Sequence, residues 1–367
     1  MVAPVPSSPE RRSASASRDK RAEDEPQALV VTHWFDSGTD GEPYSATVRL
    51  NGRRVGIRGA PKTRDTFDQD EIVEGILPGT GRVSVTSWVY GIEPGEWTVN
   101  ARLIRPPAHP SGRSSSEALP AGAWSWRRWS LSEAPATAVR TRWALIAPLA
   151  RMPAVLPGSF TVLGILGIVV ALVVQSAILS RQNGPAGAAT TVFVIALLSG
   201  LAGAKLWSRA LHPGEKLVGS GWAVDGFLVV APIAAVLALI GLELPIGQYL
   251  DAVAPGIFFA IAIGRVGCFF TGCCAGRCTR SRFALWSSDR RIGARRIPTQ
   301  LIESAAGLVI GGIALVLTVG NVVPWQGAVF FAAVGAYFVV RQFLLRIRAE
   351  PRTFLWRRSS KLVQKGA

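Results

Sequence analysis

The stretch that decides the fold is residues 264–277, GRVGCFFTGCCAGR, which closes a long apolar segment. Its arginine, Arg265, is therefore predicted to lie on a helix at or inside a membrane. A guanidinium at the bilayer centre costs roughly 2.5–3.5 kcal/mol even on lenient insertion scales, so such a residue is usually retained because an anion pairs with it. The motif predicts a membrane helix that binds an anionic group.

Six apolar runs of bilayer length surround this motif. They lie at about 159–179, 190–208, 219–242, 251–271, 299–319 and 325–346. Because about 20 apolar residues cross the hydrocarbon core, we predict a mainly α membrane protein with a six-span helical bundle over residues 158–347. The predicted location is the cell (plasma) membrane, which the chain would cross several times.

The charge of the chain points to the membrane surface as well. The 367 residues are 49% hydrophobic and carry a formal net charge of +16. The basic residues cluster beside the apolar runs, which favours an anionic lipid surface and argues against a nucleic-acid partner. Residues 348–367 form one such basic tail. Residues 1–28 are polar, contain no secretory signal pattern and are predicted to be a disordered tail.

Residues 29–106 show the pattern of an all-β domain. Asn51-Gly52 separates two alternating runs, so a hairpin with a type I′ turn is predicted there. Val83–Tyr90 alternates again, and Glu93-Pro94-Gly95 precedes an aromatic strand at Trp97. This order is typical of an immunoglobulin/fibronectin-like β-sandwich, for which we predict a binding or spacer role. Residues 107–157 are predicted to be a linker followed by an interfacial Trp/Arg segment.

Polar residues at membrane depth form the candidate site. They are Asp225, Arg265, Gln300, Glu303 and Arg341. Gln300 and Glu303 lie about one turn apart on one face of a helix. Ionisable groups in apolar spans need partners or a polar cavity. Two interpretations stay open: a binding site, or an internal ion-pair network, such as Arg265–Glu303, that only holds helices together.

These segments together resemble the prolipoprotein diacylglyceryl transferases. That family has a Gly-Arg-x-Gly-Asn-Phe signature ending in Gly-Arg, a His-Pro-Ser/Thr-Gln-Leu-Tyr-Glu segment and a late Arg in a Tyr-x-x-x-Arg-Phe helix. The chain has Gly264-Arg265-Val266-Gly267-Cys268-Phe269 with Gly276-Arg277, Pro298-Thr299-Gln300-Leu301-Ile302-Glu303, and Tyr337 four residues before Arg341. The segment Gly200–Leu206 is similar to the family's second span. The resemblance covers residues 158–350 and leaves out the β domain.

The resemblance implies an activity and roles for residues. The family moves a diacylglyceryl group from phosphatidylglycerol to the thiol of a lipobox cysteine in a prolipoprotein, and no cofactor is implied. Arg265 and Arg341 would bind the phosphate, with Gly264 and Gly276 in the signature beside them. Gln300 and Glu303 would position lipid and arginines. Asp225 stands where the family has a histidine and is the candidate proton acceptor, so the predicted catalytic residues are Asp225, Arg265 and Glu303.

The chain departs from the family pattern at several positions. The signature Asn is Cys268, its acidic position is Cys273, and the Tyr of the Gln-Leu-Tyr-Glu segment is Ile302. A second interpretation follows, in which a catalytically degenerate membrane scaffold binds phospholipid and tethers the β-sandwich. His212 is an alternative base, although a loop histidine is the simpler interpretation.

The four cysteines, Cys268, Cys273, Cys274 and Cys278, lack the paired spacing of a metal site, so no metal is predicted. Cys268 is interpreted as a small buried apolar residue. A disulfide from Cys273 or Cys274 to Cys278 would require an oxidising compartment.

The two arguments on membrane orientation disagree. The positive-inside rule places the Arg-rich loop at 277–296 and both termini in the cytoplasm, whereas the family's site faces the opposite side.

Overall fold

The computed structural model describes residues 27–104, 138–144, 146–150, 152–211 and 223–349. Most of the predicted tails and of the predicted linker, and His212, lie outside these ranges, whereas Gln27 and Ala28 of the predicted N-terminal tail already belong to a strand. The described chain divides into two compact units. The β unit comprises the residues up to Gly158 with Phe269–Pro298 and Arg348, and the helical unit comprises Ser159–Cys268 with Thr299–Ile347.

The helical unit contains six helices among the residues that the structure describes. They are α1 (Ser159–Arg181), α2 (Ala186–Leu211), α3 (Val224–Gly241), α4 (Ile246–Thr271), α5 (Thr299–Val319) and α6 (Ala328–Ile347). Five of them are long and apolar enough to cross a membrane, and the apolar part of α3 is shorter. The predicted mainly α membrane half is confirmed at this level.

Small residues set how closely these helices pack. A Cβ on Gly307 would lie 3.1 Å from the carbonyl oxygen of Phe258, and one on Gly311 would lie 2.9 Å from the ring of Phe259. Helix α5 can therefore pack tightly on α4, as small residues four apart allow in membranes. On the other side of the unit, Gly203 and Gly226 bring α2 and α3 together in the same way, since a Cβ on Gly226 would lie 2.5 Å from the Gly203 carbonyl oxygen.

The β unit consists of two antiparallel sheets around one apolar core. Strands β1 (Gln27–Asp36), β2 (Tyr44–Arg54), β3 (Thr66–Ile76), β4 (Arg82–Ile92) and β5 (Glu96–Ile104) come from the N-terminal part, followed by the short β6 (Ala138–Arg140) and β7 (Arg142–Trp143). One sheet has the order β3-β2-β5-β6. The core shared by the two sheets centres on Trp97, Leu50 and Leu29, which are almost completely buried. The strands predicted at Val83–Tyr90 and after Gly95 are confirmed.

The hairpin predicted at Asn51-Gly52 is wrong. Strand β2 runs straight through this pair, with Asn51 opposite Asn100 on one side and Asp68 on the other. Glycine is needed at position 52 for a different reason. A Cβ there would lie 2.0 Å from the ring of Phe67, so the missing side chain makes room for that ring over the strand. The glycine of Asn51-Gly52 is therefore explained by the packing of the Phe67 ring and not by a turn.

The β unit is also larger than the predicted range 29–106. Strands β8 (Leu285–Ser288) and β9 (Ile292–Arg296), from the segment between α4 and α5, extend the other sheet, whose order is β7-β1-β4-β9-β8. Trp286 stacks on Trp34 with ring centroids 5.3 Å apart, and its indole N–H donates to the carbonyl oxygen of Arg82 at 3.0 Å. The Arg-rich loop is thus a β-hairpin built onto the N-terminal strands.

Candidate functional site

Two of the predicted site residues, Arg265 and Arg341, meet at a third, Glu303, in the second turn of α5. One of its carboxylate oxygens, Oε1, accepts three contacts from two other helices. Arg265 Nη2 on α4 and Arg341 Nη1 on α6 each lie 3.1 Å away, and the Tyr337 hydroxyl donates at 2.6 Å. Glu303 is completely buried, whereas Arg265 and Arg341 keep 15% and 29% of their side chains exposed. A buried carboxylate therefore holds two partly open guanidinium groups.

Helix geometry explains why these residues meet. Glu303, Gly307 and Gly311 follow at four-residue intervals on α5, so the two glycines hold the glutamate's face against α4. Ser304 adds a hydrogen bond from its hydroxyl to the Ala262 carbonyl oxygen at 2.8 Å. Tyr337 and Arg341 are one turn apart on α6 and reach the same carboxylate oxygen. The packing of three helices thus places the cluster.

The cluster keeps a net positive charge. Two guanidinium groups and one carboxylate sum to about +1, since arginine stays protonated in proteins. The predicted Arg265–Glu303 ion pair is present, and the same carboxylate oxygen also pairs with Arg341. Breaking such a buried pair leaves an uncompensated charge, which is strongly destabilising.

The signature residues around Arg265 have different surroundings. A Cβ on Gly264 would meet nothing within 4 Å, so this side of α4 is open beside the arginine. Cys268 is buried, with its sulfur 4.0 Å from Arg265 Nη1. The thiol thus contacts the guanidinium from the position where the family has Asn. Gln300 is buried one turn before Glu303 and is hydrogen-bonded to Thr299 at 3.5 Å.

Two further predicted residues have other surroundings. Asp225, in the first turn of α3, is exposed, and within the described ranges no hydrogen bond or ion pair joins it to another side chain. The structure therefore adds no contact that supports Asp225 as proton acceptor. Gly276 belongs to the β unit, where it forms a backbone bridge with Arg348 and accepts from Arg296 Nη1 at 3.3 Å.

Tyr337 is the site residue that the sequence analysis missed as a functional group. It appeared there only as part of a motif, although its spacing of four from Arg341 places both on one helix face. In the structure its hydroxyl is the third donor to Glu303, beside the two arginines. None of the four cysteines forms a disulfide. In the described part of the chain, no three His, Cys, Asp or Glu side chains are grouped so as to hold a metal ion.

The helical unit has the helix lengths and hydropathy of the membrane-spanning class of proteins. The cluster around Glu303 places two guanidinium groups beside one buried carboxylate. A sequence profile of the prolipoprotein diacylglyceryl transferases matches residues 156–363, more than half of the chain. The chain therefore belongs to the prolipoprotein diacylglyceryl transferase family. The match includes all helices of the helical unit and excludes strands β1 to β7.

Individual relatives agree with this placement at modest identity. A phosphatidylglycerol–prolipoprotein diacylglyceryl transferase of Dehalococcoides mccartyi is 33% identical over 124 residues, covering 31% of this chain and 48% of the relative. The enzyme of the same name from Mycobacterium tuberculosis is 27% identical over 204 residues, covering 51% and 42%. That from Clostridium tetani is 24% identical over 206 residues, covering 53% and 81%. The chain thus spans less than half the length of the first two relatives.

Proposed function

We propose that the protein is an integral membrane transferase that moves the diacylglyceryl group of phosphatidylglycerol onto the lipobox cysteine thiol of prolipoproteins. The observation that carries the proposal is the pair of guanidinium groups sharing one buried carboxylate, on helices of a chain that belongs to this family. Phosphatidylglycerol carries one negative charge on its phosphodiester, which is opposite to the formal charge of about +1 that the two guanidinium groups and Glu303 sum to.

The chemistry makes use of that surplus charge. The acceptor thiol loses its proton and its sulfur bonds to the diacylglyceryl carbon, while the bond from that carbon to the phosphate oxygen breaks and glycerol phosphate leaves. Negative charge therefore grows on the leaving phosphate, where fixed cations lower the barrier most. In this proposal Arg265 and Arg341 bind the phosphate. Glu303 and Tyr337 hold the two arginines in place, and Gln300 positions the lipid.

Asp225 is proposed as the acceptor of the thiol proton. Its support is its place in the family's pattern, since in the structure it is exposed. For a base, Asp225→Asn should keep lipid binding and slow transfer about a hundredfold, the usual scale for lost acid–base catalysis. Near-normal transfer by a folded Asp225→Asn protein would exclude Asp225 and leave His212 as the next candidate.

The architecture in this proposal has six spans, with Val224–Gly241 as the shortest, and a β-sandwich of immunoglobulin or fibronectin type. We place the protein in the plasma membrane with the cluster on the outer side, where a lipobox thiol emerges. The basic loop does not oppose this orientation. Arg280 donates to the carbonyl oxygens of Pro78 and Gly41, and Arg296 pairs with Asp289 at 2.7 Å, so these cations serve the β unit's own fold.

Complementation tests the proposal against the degenerate scaffold. The full chain is expressed in a bacterium depleted of its own diacylglyceryl transferase, and growth and prolipoprotein processing are followed. The transferase restores both, whereas a scaffold that only binds phospholipid restores neither. Arg341→Ala should lower transfer at least about a hundredfold. Arg346→Ala is the matched control, because this arginine is exposed on the same helix beside the Phe343 ring.

A further inference from the structure

A second polar cavity lies in the helical unit, at the other end of the helices from the Glu303 cluster. Its volume is about 610 Å³, within the range of ligand sites. It is lined by the last turn of α1, the first turns of α4 and the loop between α5 and α6. Glu303 and Thr318 are 15 residues apart on α5, so cluster and cavity are about 22 Å apart along this helix. They therefore face opposite leaflets.

The lining of this cavity is rich in carboxamides and contains one cation. Arg181 is exposed, and within the described residues it has no hydrogen-bond or ion-pair partner. The amide side chains come from four positions around it: Gln182, Gln248, Asn321 and Gln326. A guanidinium suits a phosphate, and carboxamides can donate to and accept from hydroxyl groups.

Asp251, the acid in the lining, is already occupied. Its two carboxylate oxygens accept from the backbone N–H groups of Gly327 at 2.6 Å and Phe330 at 3.0 Å, which caps the start of α6. The positive end of that helix offsets the carboxylate charge. Arg181 therefore remains as the cation available to a ligand.

The floor of the cavity is held in place by packing. A Cβ on Gly247 would lie 2.6 Å from the Cβ of Gln326, so glycine lets the α5–α6 loop approach α4 closely. Gln182 donates to the Thr318 carbonyl oxygen at 3.2 Å and accepts from Gln248 at 3.4 Å. Contacts within the protein thus hold several of the lining groups in place.

The loop around the cavity carries features of a lipid interface. Trp325 and Val322 are 75% and 61% exposed, although both lie in the loop that lines the cavity. Exposed tryptophan next to the end of an apolar helix is typical of the headgroup level of a membrane. Anions at that level are mostly the phosphates of lipids.

We propose that this cavity binds a glycerol-phosphate group, with Arg181 on the phosphate and the carboxamides of Asn321 and Gln326 on the hydroxyls. The group comes either from the headgroup of phosphatidylglycerol in the leaflet opposite the cluster or from free glycerol phosphate. Such a site is independent of transfer at Glu303 and would sense the same chemical group on the other face of the membrane.

Photo-crosslinking at the cavity itself tests the proposal. The full chain with Trp325→p-benzoyl-phenylalanine is placed in nanodiscs of phosphatidylcholine containing labelled phosphatidylglycerol, or labelled phosphatidylcholine at the same fraction. Phosphatidylglycerol should crosslink about fivefold to tenfold more, as one charge-assisted contact predicts. Arg181→Gln should abolish this preference and Gln326→Leu should reduce it. Arg209→Gln, which removes an exposed cation from the last turn of α2, should leave it unchanged.

Competition identifies the source of the group. If 10 mM glycerol 1-phosphate removes the crosslink, the cavity binds the free compound; if it does not, the cavity binds the lipid headgroup. Equal crosslinking of the two lipids without any effect of glycerol 1-phosphate, or a preference that survives Arg181→Gln, overturns the proposal and leaves Arg181 as an interfacial cation only. Because the probe reports at residue 325, these outcomes do not depend on whether the protein transfers diacylglyceryl groups.

Discussion

At the scale of single residues, the arrangement around Glu303 carries the most chemistry, since one carboxylate oxygen serves two arginines and a tyrosine. Each donor takes up part of the cost of a completely buried charge. Tyr337 is the donor that carries no charge of its own. It therefore offers the mildest way to loosen the cluster without changing its net charge.

Tyr337→Phe should weaken the cluster while its charges stay in place. The lost hydrogen bond to an ionised acceptor should lower the free energy of unfolding by about 1.5–3 kcal/mol. If Tyr337 also holds the arginines for the phosphate, transfer should fall by about tenfold or more. Thermal unfolding in detergent and a transfer assay measure the two effects. Wild-type stability together with wild-type transfer would show that this contact contributes to neither.

The β unit contains a histidine whose titration should be visible in stability. Burial lowers the pKa of His33 below its ordinary value of 6.5. Between the lowered pKa and 6.5 the unfolded chain binds more protons than the folded one, so stability rises with pH across that window and is lost as pH falls. The melting temperature should therefore drop below about pH 6.5. His33→Gln should flatten this dependence, and a slope that persists unchanged would assign it to other groups.

At the scale of elements, helix contacts depend on which face of a helix a glycine occupies. Gly311 and Gly312 are neighbours on α5, yet only Gly311 faces α4. A Cβ at 311 would lie 2.9 Å from the Phe259 ring, whereas one at 312 would meet nothing within 4 Å. The pair thus separates packing from the intrinsic cost of changing a glycine.

Gly311→Val should push α5 away from α4 and carry Glu303 with it. Overpacking of this kind typically costs about 1–3 kcal/mol, and the displacement should also reduce transfer. Gly312→Val serves as the matched control and should remain within about 1 kcal/mol of the wild type. Melting temperature and transfer rate of both variants give the comparison. Equal effects of the two substitutions would contradict the close α4–α5 contact.

At the scale of the whole molecule, the β unit is assembled from distant parts of the chain. Strand β4 pairs with β9, so residues near 84 and 293 are neighbours in one sheet. The side chain of Trp286, from strand β8, is buried and stacks on Trp34 of strand β1. A segment that connects two apolar helices is therefore part of the N-terminal domain's fold.

Trp286→Ala should accordingly destabilise the β unit although it lies in the loop between α4 and α5. Loss of a buried tryptophan costs about 3–5 kcal/mol. Trp143→Ala is the control, because Trp143 belongs to the same sheet but is 42% exposed. Limited proteolysis within residues 27–104 of the full protein reports the difference. Equal protection of the two variants would argue against the hairpin as a structural element of this unit.

The sequence alone determined the helical membrane half and the identity of its charged residues. Apolar runs of bilayer length predicted the helices, because chain length and hydropathy decide whether a segment can span a membrane. The Gly-Arg, Gln-x-x-Glu and late-Arg segments pointed to Arg265, Glu303 and Arg341, since ionisable groups stand out against an apolar background. The strands after Arg82 and Gly95 were predicted by alternation, which is equally local.

Which of these residues meet depends on the tertiary structure. The donors on Glu303 come from two other helices. Helix packing rather than spacing along the chain sets those distances. Gly52 was read as a turn residue, whereas its role depends on a Phe67 ring from the neighbouring strand. The Arg-rich loop was read as a charged connection, whereas it completes a sheet begun about 200 residues earlier. Such contacts join residues far apart in sequence, so local patterns carry no record of them.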